Sequence, residues 1–283
     1  MINVADTLIQ NSAYLQPNSS ARLDAELLLA HCLGVDRTAL FREPERLISP
    51  TEQKMLSTMV AERKKGRPIA QLIGKVEFFS LEFKINESVL SPRAETELLV
   101  EQTLAVVSKE PLRIIDLGTG SGAIAISIAT HCPNAIVYAV ELCGRALAVA
   151  QANQQSHHLE NLHLIRAGWL SAIANDSIDI VISNPPYIES DDPHLLNTDI
   201  RFEPKLALDG GPDGMSAYRT LLGDIPRVLK SSGRVLLEHG YQQGSNLREL
   251  LASAGFTQVK TFKDLAGHDR VVSGVFQHNP PAR

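Results

Sequence analysis

Cysteine is scarce: the chain has three, Cys32, Cys132 and Cys143. They are too few and too scattered for a disulfide framework or a zinc knuckle, and no C-x-x-C occurs, so reduced thiols and no metal site are expected. Long apolar runs are missing too; none approaches the ~20 residues a membrane helix needs. The start, Met1-Ile2-Asn3-Val4-Ala5-Asp6, lacks the basic beginning and apolar core of a signal peptide, so a cytoplasmic protein without a membrane partner is expected. Positive charge is not in excess, with a formal net charge of -5 and no stripe of basic residues interleaved with aromatics. That balance gives no electrostatic reason to expect nucleic acid. What is present, 44% hydrophobic and 21% charged residues over 283, is the composition of a globular protein with one large domain or two ordinary ones.

From Val4 to Gly66 apolar residues recur at helical spacing, as in Arg22 to His31, closed by Gly34. Ser49-Pro50-Thr51-Glu52 opens another helix in capping-box style. Residues 1–72 therefore read as a small all-helical domain. Residues 73–90 carry short β-prone pieces, Val76 to Phe79 and Leu81 to Ile85, and read as a hairpin linking two domains.

Over residues 91–283 strands and helices alternate. Strands are expected at 113–117, 135–140, 162–165, 178–183 and 234–238, with helices at 123–130, 145–156, 215–229 and 242–254. Two final β pieces, 257–262 and 270–276, have no helix between them. The pattern predicts a doubly wound α/β sheet ending in an antiparallel strand. The tail from His278 to Arg283 is expected to fray.

The first βα turn reads Asp116-Leu117-Gly118-Thr119-Gly120-Ser121-Gly122-Ala123. Its glycines let the backbone bend and approach a ligand, and the following helix N-terminus offers free N–H groups. Gly118, Gly120 and Ala123 also satisfy the dinucleotide pattern G-x-G-x-x-A, and Glu141 at the next strand end suits the ribose of any adenosine cofactor. Asp116 separates the possibilities, because a carboxylate repels a pyrophosphate but can meet the ammonium of an amino-acid-like ligand, directly or through water.

At the end of the fourth strand stands Asn184-Pro185-Pro186-Tyr187. Alone it is a strand-terminating turn. Beside a cofactor loop it is a clamp for a flat NH2 group: the Asn184 side-chain carbonyl and the Pro185 backbone carbonyl each accept one N–H, and Tyr187 packs against the planar group.

The D-x-G-x-G-x-G loop resembles the first motif of class I S-adenosylmethionine-dependent methyltransferases. The segments Ser91 to Glu101, Arg201 to Gly214 and Leu236 to Gly240, with Asn184 to Tyr187 and the helical N-domain, are similar to the release-factor glutamine methyltransferases of the HemK/PrmC family. The resemblance implies a Rossmann-like seven-stranded class I methyltransferase domain, with a small all-helical N-terminal domain joined by a β-hairpin. It also implies methyl transfer from S-adenosyl-L-methionine to the glutamine amide nitrogen in the Gly-Gly-Gln loop of peptide chain release factors, by a monomer that grips them with its helical domain. The cofactor residues it implies are Asp116, Gly118, Thr119, Gly120, Ser121, Gly122, Glu141, Trp169 and Asn184. Those for substrate are Asn184, Pro185, Pro186 and Tyr187, with Asn184, Pro185 and Tyr187 catalytic.

Three positions depart from the family pattern: Glu141 and Gly168 replace its usual Asp, and Ala94 replaces a proline. Gly168 removes an acceptor for the adenine amino group. Two other functions share part of the pattern, a nucleic-acid exocyclic-amine methyltransferase and a non-catalytic protein that kept the fold. Arg93 and Glu95 read either as ordering a loop over the cofactor or as capping the next helix, and Glu238-His239 as shaping the site or serving its chemistry. Arg63-Lys64-Lys65-Gly66-Arg67 reads as a solvated helix end or a contact for RNA or an acidic partner.

Overall fold

Among the described residues five α-helices build the first unit: α1 (Val4–Leu15), α2 (Ala21–Leu33), α3 (Arg37–Arg42), α4 (Pro50–Lys64) and α5 (Ile69–Ile73). The computed structural model describes residues 2–108, 110–196 and 200–277, the side chains at 194 and 196 excepted, so the tail from His278 lies outside the described residues. The chain divides into one unit of residues 1–75 with 197–202 and a second of 76–196 with 203–283.

Local chemistry fixes the helix ends of the first unit. Gly34, at φ 65°, closes α2. The expected capping box opens α4: Glu52 N donates to Ser49 Oγ at 3.3 Å, and Ser49 N to Glu52 Oε2 at 2.8 Å. Val4, Leu8, Leu28, Leu29, Leu56 and Val60 pack between the helices. Arg63, expected in a solvated basic run, is instead buried, with Nε 2.7 Å from Asp24 Oδ2. Around it Lys65 and Arg67 both reach Glu62, at 2.7 and 3.3 Å, so the run is not a free basic face.

The second unit begins with a two-stranded sheet of β1 (Lys75–Phe78) and β2 (Leu81–Lys84), of which only Lys75 falls in the first unit. After α6 (Glu97–Leu104) come β3 (Arg113–Leu117), α7 (Ala123–His131), β4 (Ile136–Glu141), α8 (Gly144–Ser156), β5 (Leu162–Arg166) and β6 (Ile178–Ser183). Then come α9 (Ser216–Val228), β7 (Leu229–Glu238), α10 (Gly244–Ser253), β8 (Phe256–Lys263) and β9 (Asp269–Phe276). The large sheet has seven strands in the order β5-β4-β3-β6-β7-β9-β8, parallel except for β9, which runs antiparallel to both neighbours.

Central strands covered on both faces read as continuous apolar runs, and Ile114, Ile115, Leu117, Val181 and Ile182 are indeed fully buried. Helix α9 turns Tyr218, Leu221, Leu222 and Ile225 to the core at helical spacing. One boundary differs from expectation: β7 starts at Leu229 rather than Arg234. Ile178 pairs with Leu229 but Ile180 with Arg234, so the polar Lys230-Ser231-Ser232-Gly233 stretch is carried as a bulge, with Ser232 at φ 64°. Among the described residues no helix is long and apolar enough to cross a membrane.

The strand order reverses between β3 and β6. Their last residues, Leu117 and Ser183, are register partners, and Ser183 Oγ donates to Leu117 O at 2.7 Å. Gly118 and Asn184 therefore leave the sheet side by side, at the place where open α/β sheets bind ligands.

Candidate active site

The glycine loop is held from behind by β4. Gly118 N and Thr119 N both donate to Val140 O, at 2.9 and 3.0 Å, and Gly122 N to Thr119 O at 2.8 Å. This path puts Gly118, Gly120 and Gly122 at φ 72°, 57° and 83°, where a side chain is strained. A Cβ at Gly122 would also lie 3.0 Å from Ile126 Cδ1 and 3.3 Å from Ala150 Cβ, so that glycine serves helix packing. A Cβ at Gly118 would lie 3.5 Å from Trp169 Cζ3, in the ligand space.

That space is a cavity of about 560 Å³ whose lining, among the described residues, comes from the second unit. Of the residues proposed for a cofactor, Gly118, Thr119, Gly120, Ser121, Glu141, Trp169 and Asn184 line it, and Pro186 joins them from the clamp. The Glu141 carboxylate is fixed by backbone donors, Gly120 N at 3.0 Å and Cys143 N at 2.8 Å. A carboxylate has about four acceptor sites, so two remain for a ligand.

Four expected residues stand elsewhere. Gly122 lies behind the loop, against α8. Asp116 is fully buried and outside the lining; its Oδ2 accepts from Thr119 Oγ1 at 2.5 Å, so it braces the loop from within rather than facing a ligand. Burial pushes its carboxyl up to about 7, with Thr119 opposing and the Glu141 charge adding to the rise. Pro185 is buried, and neither it nor Tyr187 lines the cavity. The Tyr187 ring packs against the core, and burial raises its phenol to about 12.

Among the supporting residues, Asn153 and Glu203 gave no sequence signal of their own. Asn153, fully buried on α8, donates through Nδ2 to Ser121 O at 2.9 Å and Lys84 O at 3.1 Å, and accepts from Lys84 N at 2.7 Å. It ties the glycine loop to the hairpin. Glu203 accepts from Ser91 N at 3.1 Å and pairs with the Arg93 guanidinium. The Arg93 side chain is thus a clasp between two segments that border the cavity, 87–96 and 204–209; Arg93 also stands at the N-cap of the short 3-10 turn Ala94–Thr96, where its side chain makes no capping hydrogen bond. Burial raises the Glu203 carboxyl although Arg93 counteracts it. His239 is buried behind the site, its Nδ1 2.8 Å from Gly240 O. Glu238 is 1% exposed at the end of β7, where its backbone carbonyl accepts from Tyr218 Oη at 2.8 Å.

Residues 6–74 match the family model described as PrmC N-terminal domain, and residues 93–200 that of the methyltransferase small domain. The chain is 42% identical over 268 residues to the release factor glutamine methyltransferase of Pseudomonas aeruginosa, covering 95% of this chain and 97% of that one. To the corresponding Escherichia coli (strain K12) protein it is 40% identical over 260 residues, with 92% and 94% covered. In fold it is similar to the crystal structure of a methyltransferase from Pyrococcus furiosus, with a TM-score of 0.55 at 18% identity, covering 78% of this chain and 99% of that one. With that identity sustained across both units, the chain belongs to the release factor glutamine methyltransferase family.

Proposed function

We propose that this protein transfers a methyl group from S-adenosylmethionine to the side-chain amide nitrogen of the glutamine in the Gly-Gly-Gln loop of peptide chain release factors. The observation that carries the reading is the emergence of Asn184 beside the glycine loop, in one cavity with Glu141 and Trp169. The cofactor fits what is there: a cavity of ordinary ligand size, a glycine cradle that a side chain at 118 would fill, an acid for ribose hydroxyls and an indole for adenine.

When bound, S-adenosylmethionine supplies an electrophilic methyl on a positively charged sulfur. The chain's task is to aim a poor nucleophile. An amide nitrogen has its lone pair delocalised, so holding both N–H bonds on acceptors favours the positive charge that develops on nitrogen. Asn184, which lines the cavity, supplies Oδ1 as one acceptor; the Pro185 backbone carbonyl is assigned as the other although Pro185 itself lies outside that lining. Tyr187, neutral and seated on the core, supports the loop, and the proton leaves to water.

The helical unit of residues 1–72 is the part that grips the release factor, and the protein acts as a cytoplasmic monomer without direct nucleic-acid contact. The net charge of -5 and the internally paired 63–67 run weigh against the nucleic-acid amine reading. Incubation with labelled S-adenosylmethionine is expected to label purified release factor and not the factor lacking its loop glutamine. Label on that variant, or on bare RNA or DNA instead, contradicts the proposal.

Gly168 gives a second expectation. A Cβ there meets nothing within 4 Å, so an acid can be accommodated. Gly168→Asp is expected to restore an acceptor for the adenine amino group and tighten S-adenosylmethionine binding by roughly 3- to 10-fold, the worth of one hydrogen bond of about 1 kcal/mol. Titration calorimetry checks it; unchanged or weaker binding would mean that an acid at 168 does not serve the adenine amino group.

A further inference from the structure

Glu238 is a buried acid for which the methyl-transfer step has no use. The parallel register pairs Ser183 with Leu237, so Asn184 and Glu238 come next in step on adjacent chains and face the same side. Thr96 completes the group. Its hydroxyl accepts from Asn184 Nδ2 at 3.3 Å, and the Thr96 and Asn184 side chains both counteract the rise that burial causes in the Glu238 carboxyl. Glu238 Oε2 has no partner among the described residues. Arg270, whose charge also acts on Glu238, is paired with Asp264 at 3.2 Å. A buried carboxyl without its own ion pair is costly, and such groups concentrate at functional sites.

The use of the acid lies in the symmetry of its neighbour. Turning the Asn184 amide by 180° exchanges Oδ1 and Nδ2 with almost no change of shape, so packing alone does not choose between them. Only the orientation with Oδ1 toward the cavity can accept a substrate N–H. An ionised carboxylate is acceptor-only, so beside it Nδ2 is favoured and Oδ1 is repelled.

We propose that Glu238, with Thr96, is a positioning residue that fixes the Asn184 amide with its oxygen toward the substrate. The inference rests on the reading of Asn184 as an acceptor for the glutamine N–H. A glutamine at 238 would have the same shape but would tolerate either end of the Asn184 amide. Burial also pushes the Glu238 carboxyl up to about 7; once protonated it can donate and loses its selectivity. The charged and titratable groups interacting with it are Arg270 on β9, Glu95 before α6, Tyr187 after β6 and Tyr218 on α9, with Arg93 acting on Tyr187.

The test uses full-length protein and release factor. Glu238→Gln is expected to lower kcat by about 10²-fold, the scale of a small misplacement, with S-adenosylmethionine affinity kept and the melting temperature no lower than wild type. The wild-type rate should also fall as pH drops through about 7. Asp116 lies in the same range, so the readout is the difference between the wild-type and Glu238→Gln profiles.

Asn184→Asp sets two acceptors side by side and should be strongly impaired. Adding Glu238→Gln to it restores a donor at 238, leaves an oxygen at 184 facing the cavity, and should raise the rate about 10-fold over Asn184→Asp alone, the coupling of residues in contact. Wild-type kcat in Glu238→Gln, or a double variant whose loss is the product of the single losses, overturns the positioning role. If Asn184→Ala keeps its rate, the acceptor reading fails instead, so the two failures are distinguishable.

Discussion

Asn184→Ala is expected to lower kcat for methyl transfer to release factor by about 10²- to 10³-fold, the usual loss on removing one preorganised polar contact to developing charge. The substitution takes away the one acceptor side chain that the Asn184-Pro185-Pro186-Tyr187 segment presents to the cavity. It should not disturb the fold, because the segment is held by other bonds. Ser183 Oγ anchors β6 to Leu117 O, and Gln243 Nε2 donates to Tyr187 O at 2.9 Å. S-adenosylmethionine affinity should change by no more than about 10-fold, because Asn184 can contribute at most a neutral hydrogen bond or two there. Single-turnover transfer at saturating cofactor, alongside calorimetry, separates the two effects. A variant with wild-type kcat would remove the clamp from the mechanism, whatever its affinity.

The parts of this site that were legible in the sequence are those set by local chain chemistry. Apolar runs with periods of two and 3.6 revealed the alternation of strands and helices. Glycines at 118, 120 and 122 and the prolines at 185 and 186 marked where the chain leaves the sheet, and strand order then put the two turns together. Contacts between distant residues were not legible. Arg93 meets Glu203 across 110 positions, and nothing local distinguishes Glu203 from a surface acid. Asp116 misled for a different reason: it lies inside β3, one residue before the strand ends, and the pleat buries its carboxyl. Glu238 was visible as a residue at a strand end, but its meaning depends on the β6–β7 register, which composition does not encode.

The same limit applies to Arg63, where sequence suggested a solvated basic run, and it leads to the largest expected stability effect. Asp24→Ala is expected to destabilise the helical unit by about 3–5 kcal/mol, the usual consequence of removing the carboxylate from a buried ion pair. Asp24 Oδ2 accepts from Arg63 Nε at 2.7 Å, Asn18 Nδ2 at 2.9 Å and Ser20 Oγ at 3.0 Å, and both charged side chains are less than a tenth exposed. Truncation therefore takes the carboxylate from a buried guanidinium, which keeps contacts to Gly66 O and Arg67 O at 3.5 and 3.3 Å, and removes the acceptor shared by the α1–α2 connection. Because the pair is shielded from solvent, the loss should change little between low and high salt, unlike that of a surface pair. Replacing both partners by apolar residues of similar size, Asp24→Leu with Arg63→Met, should recover most of the stability, since the desolvation cost disappears along with the attraction. The described residues that line the cavity all belong to the second unit, so Asp24→Ala should lose release-factor methylation as the helical unit melts while still binding S-adenosylmethionine. Circular dichroism melting and calorimetry on the full chain measure both quantities. An unchanged first transition would mean that the Asp24–Arg63 pair does not hold the helices together, and loss of cofactor binding in step with it would mean that the two units do not melt separately.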